Sequence, residues 1–198
     1  MGNRLNWTLV AVMAAALVLG ALGCGEMGKV DQGRVIAFDK DKETVTFIID
    51  VKHDPANPDY SGAPVTFALP KDPAERGEDP KAGKRMKLDA KTREIVIYDD
   101  ATQGFKKISY TLIDQKEGVG KDDPLVKGKK FPVVDRGKKA ITIYSGRQKL
   151  LTTFSVPDEY LSLPENTWEA GDEVRVYYKE PGKALRFMNI TRTDIFKK

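Results

Sequence analysis

His53 is the only histidine and Cys24 the only cysteine in the 198 residues, which narrows the chemistry open to the chain. A Ser-His-Asp or Cys-His nucleophilic set would have to use His53. It stands in Val51-Lys52-His53-Asp54-Pro55, where an apolar run enters a stretch rich in Pro and Asp, and an ordinary surface histidine accounts for it. The common zinc sites need more His and Cys than this. For calcium, Asp39-x-Asp41-x-Glu43 and Asp54, Asn57 and Asp59 are the local candidates. Neither has the offsets of a calcium-binding helix-loop-helix, and a hairpin tip and a solvated loop explain them. Paired carboxylates could hydrolyse glycosides, but no spacing singles out two of the 29 acidic residues. No glycine-rich loop leads into a helix to cradle phosphate. The expectation is a non-enzymatic protein with no catalytic residue, cofactor or metal.

Aromatic and basic residues interleave near the C-terminus at Trp168, Tyr177, Tyr178, Arg186 and Phe187. In Val174-Arg175-Val176-Tyr177-Tyr178, strand alternation puts Val174, Val176 and Tyr178 on one face and Arg175 and Tyr177 on the other. Arg175 and Tyr177 are therefore the candidate ligand-binding pair, since exposed aromatics on a β surface stack on sugars or polymers.

The N-terminus has a different character. Arg4 is the only charge before an apolar run from Leu9 to Gly23, which stops at Cys24. That is the pattern of an export signal, and the run falls short of the ~20 residues that cross a bilayer as a helix. A short uncleaved anchor is the alternative. Ala21-Leu22-Gly23-Cys24 resembles the lipobox of bacterial lipoproteins. The resemblance implies cleavage after Gly23 and lipid attachment at Cys24, with residues 1–23 as signal peptide and 24–29 as tether. Gly25 after the cysteine lacks the Asp associated with inner-membrane retention, which favours the periplasmic face of the outer membrane if the source is a diderm bacterium. Residues 24–198 carry 32 basic and 29 acidic side chains, spread along the chain, so no nucleic-acid footprint is expected.

The elements that must position any site read as strands. Short alternating or β-branched runs are bounded by Gly, Pro and Asp-Lys turns. The pattern predicts strands over 33–38, 44–51, 64–69, 85–88, 94–98, 105–112, 131–134, 140–144, 150–156, 173–178 and 184–191. Val45, Phe47 and Ile49 should share one face, Glu180-Pro181-Gly182-Lys183 should make a type II turn, and Asp158 should cap a short helical turn.

The halves also align. Asp39–Phe47 parallels Asp135–Ile143, Thr66–Pro70 parallels Thr153–Pro157, and Lys81–Leu88 parallels Glu169–Val176, in the same order. Three strands, an irregular segment and two more strands resemble the five-stranded OB-type barrel, with an SH3-like barrel the alternative. The expected fold is all-β: tandem five-stranded barrels over 30–113 and 127–198, joined by a charged, Gly-containing linker over 114–126. As a whole the chain resembles uncharacterised exported bacterial lipoproteins. The expected function is a membrane-anchored binding or scaffold protein with an envelope protein partner; the alternative is a small-ligand or glycan binder.

Overall fold

In the computed structural model, residues 27–54 and 57–193 are described; Cys24 and the signal segment lie outside them. The fold is all-β with several sheets. Lys29–Asp39 (β1), Thr44–Ile49 (β2), Pro64–Ala68 (β3), Arg85–Asp89 (β4), Glu94–Asp99 (β5), Gly104–Ser109 (β6) and Thr111–Lys116 (β7) come first. Val133–Asp135 (β8), Ala140–Ser145 (β9), Leu150–Ser155 (β10), Glu173–Tyr178 (β11) and Ala184–Asn189 (β12) follow, with a one-turn helix, α1, over Asp158–Leu161. Each expected strand is present, although 105–112 divides at Tyr110 into β6 and β7. Pro157 takes the cap position of α1 and makes no side-chain cap bond. Asp158, expected as the cap, is instead the first helical residue, ion-paired to Lys139 at 2.7 Å.

The hairpin tips recur. Asp39, Asp89 and Asp135 each end a strand and accept backbone N–H bonds from the turn they open. These bonds, with a contact to Lys87, hold the Asp89 carboxyl down to about 2. Four residues after the opening residue, Glu43, Arg93, Gln103, Lys139 and Lys149 all take φ between 51° and 57°. A non-Gly residue pays about 1–2 kcal/mol for this left-handed conformation. The Glu180–Lys183 turn has Gly182 at φ 80°, as a type II turn requires.

Aligned blocks occupy equivalent places. β1-β2-β3 and β8-β9-β10 are both three-strand meanders. Each carries a cross-strand threonine pair, Thr46–Thr66 at 2.8 Å and Thr142–Thr153 at 2.9 Å. After the second Ala-Gly, however, the chain joins the other half's strands, β11 pairing with β1, whereas after the first β4 pairs with β5 of its own half. One sheet has the order β12-β11-β1-β2-β3; the others are β7-β10-β9-β8 and β4-β5-β6. Strands from 30–113 and 127–198 thus share one sheet, where self-contained halves were expected. Residues 114–116 of the expected linker belong to β7, paired with β10, and Val119 and Val126 are buried, because two apolar side chains anchor a segment whose average composition reads as linker.

The first sheet curls around Val35, Val45, Phe47, Phe67, Val174, Val176 and Phe187, with Ile49 and Tyr178 packed on the same side as alternation requires. Its edges β3 and β12 meet only at an isolated parallel bridge, Ala68 with Lys183, so the ladder does not close. The other two sheets share a core that includes Ile95, Ile97, Ile108, Tyr110, Ile141, Ile143, Phe154 and Trp168. A third cluster, Ile36, Ile48, Tyr60, Met86 and Tyr98, joins the layers.

The two Ala-Gly crossovers lie directly on one another. A Cβ on Gly171 would sit 1.9 Å from the Val35 carbonyl oxygen and 2.9 Å from the Gly83 amide nitrogen; one on Gly83 would sit 2.5 Å from the Glu169 oxygen. Only glycine permits this approach. Backbone bonds lace the crossing: Val35 N to Asp172 O (2.9 Å), Gly83 N to Val35 O (3.1 Å), Arg85 N to Glu169 O (2.8 Å) and Asp172 N to Lys81 O (2.8 Å). The buried Asp172 carboxylate accepts from Lys81 N, Asn189 Nδ2 and Arg192 Nε, each at 2.9 Å.

Lys149 tests the strain at the hairpin tips. Lys149→Gly removes the left-handed penalty at the cost of a more flexible unfolded chain, so a net gain of about 0.5–1 kcal/mol is expected in urea denaturation. A loss of stability would contradict this account of the turn.

Candidate functional site

Two β-bulges set up the site. In β1 the register shifts between Val35 and Ala37, and in β4 between Arg85 and Lys87. A bulge inserts an extra residue and re-aims the side chains beside it. As a result neighbours Val35 and Ile36 are both buried, and so are Arg85 and Met86. Strict alternation would have sent Arg85 to the polar face with Lys87; the bulge turns it in, leaving 6% exposed.

The bulged strands face a cleft of ≈ 540 Å³ where the three sheets meet. Arg34 of β1 forms one wall, with Lys52, Asn57, Pro58, Asp59 and Tyr60 of the loop after β2. Arg85, Met86, Lys87 and Leu88 of β4 form the second, the β9–β10 hairpin from Tyr144 to Gln148 the third, and Ala170 of the crossover closes one side. The loop hangs on Asp50, fully buried, whose Oδ1 accepts from Lys52 N (3.1 Å) and Asp59 N (2.7 Å).

Cations dominate this surface. Lys52 pairs with Asp59 at 3.7 Å and Lys87 with Asp89 at 3.0 Å. Arg147 pairs at 2.5 Å with Glu173, whose second oxygen accepts from Gln32 Nε2 at 2.6 Å. Arg34 and Arg85 make no ion pair with a carboxylate among the described residues. Arg34 Nη1 donates to the carbonyls of Met86 (3.0 Å) and Arg85 (3.3 Å), its Cζ lies 4.1 Å from the centre of the Tyr60 ring, and its buried Nε meets no acceptor. Arg85 Nε donates to Trp168 O at 2.9 Å. A cation–π contact is worth up to ~2 kcal/mol when desolvated, well short of the several kcal/mol that burying an unpaired charge costs.

The titration behaviour follows. Burial, then repulsion from Arg34, push the Arg85 guanidinium down to about 9. Burial likewise lowers Arg34, with Arg147 adding to the effect. Half-buried Arg76 and exposed Arg186 do the opposite: Glu43 and Glu75 raise them by hydrogen bonding. Burial pushes the Tyr60 phenol up to about 12, so it stays protonated and a donor. An anion about 4 Å from one guanidinium would gain on the order of 4 kcal/mol at an effective dielectric of 20, enough to offset what burial costs.

The residues singled out from sequence lie elsewhere. Arg175 and Tyr177 do point away from the core. Arg175 donates to Gln32 Oε1 at 2.7 and 3.1 Å, and the Tyr177 ring packs over Gly28. Of the interleaved aromatics, Trp168, Phe187 and Tyr178 are core residues, and Arg186 is ion-paired to Glu75. His53 is exposed, with φ 51°. The Asp39 and Glu43 carboxylates are used in the hairpin turn and in an ion pair with Arg76. Arg34, Arg85 and Tyr60 were not foreseen; the signal was an arginine inside each of two strands that otherwise bury their neighbours.

A family model described as Domain of unknown function (DUF4881) matches residues 26–198, and the chain belongs to that family. No curated protein matches it, and no solved structure does.

Proposed function

We propose that this family member is a non-enzymatic, lipid-anchored binding protein of the cell envelope, and that the cleft between the sheets takes a small-molecule ligand. The observation that carries the reading is the pair Arg34, half-buried, and Arg85, buried, at the junction of three sheets, neither in an ion pair with a carboxylate among the described residues. Ligand sites favour such junctions and cavities of about this volume. Asp59, the carboxylate in the cleft lining, is paired with Lys52, and Glu173, opposite Arg34 in β11, is held by Gln32 and Arg147, which supports binding over general-base chemistry. The anchor is Cys24, five residues before β1 begins at Lys29. That spacing holds the first sheet near the membrane, on the periplasmic face of the outer membrane in a diderm cell. The same reading treats β3-β2-β1-β11-β12 as an OB-like arrangement; its three-plus-two strand composition and the parallel bridge between its edges support this. β8, at the end of its sheet, offers an envelope protein partner an edge for strand addition.

Two experiments test the reading. Cys24→Ala should abolish fatty-acid labelling and signal cleavage; continued labelling would sink the anchor. A thermal-shift screen of small metabolites on the intact protein should find a stabilising compound, since a ligand at a hundred times its Kd adds about 2.7 kcal/mol. A screen blank for every chemical class would overturn the ligand reading and leave the protein partner.

A further inference from the structure

We infer that the cleft is an oxyanion site: the carboxylate or phosphate head of a small organic molecule sits between Arg34 and Arg85, with Arg147 beside it. This rests on the reading of the cleft as a ligand site and names what that site selects.

The two guanidinium groups are fixed before any ligand arrives. Arg34 is held by the carbonyls of Arg85 and Met86 and by the Tyr60 ring; Arg85 is held by the carbonyl of Trp168. All these partners are neutral, so each side chain is oriented without being neutralised. Oriented guanidinium forks match the two-oxygen edge of carboxylate and phosphate, and desolvation strengthens the match. The buried Arg34 Nε has no acceptor, although the great majority of buried polar groups are partnered. That nitrogen is enclosed and out of a ligand's reach, so an oxyanion would act at the outer nitrogens of the two groups that line the cleft, screening their mutual repulsion.

Alternatives fit less well. A neutral ligand leaves both charges uncompensated, and a cation is repelled. Glu173 is the carboxylate on the strand beside Arg34, the two standing in register across β1 and β11, yet its oxygens are engaged by Gln32 and Arg147. At ≈ 540 Å³ the cleft exceeds what one inorganic anion fills. Met86, Leu88, Pro58 and Ala170 offer apolar surface to the body of a larger molecule.

The test is calorimetric titration of the intact protein with the head groups alone, inorganic phosphate and citrate, against neutral glucose, up to about 50 mM. At least one oxyanion should bind and weaken as salt rises, while glucose does not; which one binds identifies the head group. Arg85→Met and Arg34→Met should each lower the affinity at least about tenfold. Arg85→Met should keep or raise Tm, since an apolar chain of similar length removes an unpaired buried charge. A merely structural arginine would instead lower Tm and leave affinity intact. No heat from either oxyanion, or binding unchanged in both variants, would overturn the proposal. If a neutral compound from the metabolite screen still stabilises the protein and Arg85→Met leaves that effect unchanged, the ligand reading stands and the oxyanion assignment alone fails.

Discussion

Everything in this fold passes through the contact of Gly83 and Gly171 with Val35. Here the chain leaves the first sheet for β4 and later returns to it as β11, the two passages lying backbone to backbone. No side chain can enter between them, since even a Cβ would collide with the Val35 carbonyl. The reward is a set of backbone hydrogen bonds linking both crossovers to the middle strand of the first sheet. Each bond is worth only about 1 kcal/mol net, but leaving such buried groups unpaired would cost more. Because β1 is flanked by β2 on one side and β11 on the other, the first sheet needs both halves of the sequence.

The cleft is a consequence of that crossing. Ala170 of the crossover closes one side of it, and β1, β4 and the β9–β10 hairpin bound the rest. Both bulges fall beside the crossing, at Val35 and at Arg85, two residues from Gly83. The irregularity in β4 thus also turns Arg85 toward the cleft, where Arg34, just before the bulge in β1, already stands. A core chosen for stability alone would place apolar side chains there. Retaining one buried and one half-buried guanidinium group is the kind of local cost that proteins carry at functional sites.

Local structure was largely readable from the sequence; connectivity was not. Val45, Phe47 and Ile49 alternate inward as predicted, Glu180–Lys183 makes its type II turn, and the Ala-Gly blocks mark equivalent points in the two halves. Alternation and turn chemistry act within a few residues, so they survive in sequence order. Which strands β11 and β12 pair with depends on contacts about 140 residues apart, such as Gln32 with Arg175, and the two halves are too alike in pattern to say whether each closes on itself. The site was hidden for a related reason. Arg85 reads as an outward residue until a bulge rotates it, and bulges leave little trace in composition. The aromatic face expected near the C-terminus shrank because Trp168 and Phe187 carry core volume.

The exchange of strands between halves is the claim on which the rest stands, and a cross-link tests it directly. Val30 and Tyr177 are cross-strand partners in β1 and β11, a separation suited to a disulfide. In a Cys24→Ser background, Val30→Cys with Tyr177→Cys should oxidise fully within one chain and raise Tm. Two thiols that stay free in the folded protein under mild oxidant would mean that β1 and β11 are not neighbours, and both the crossing and the cleft built on it would have to be abandoned.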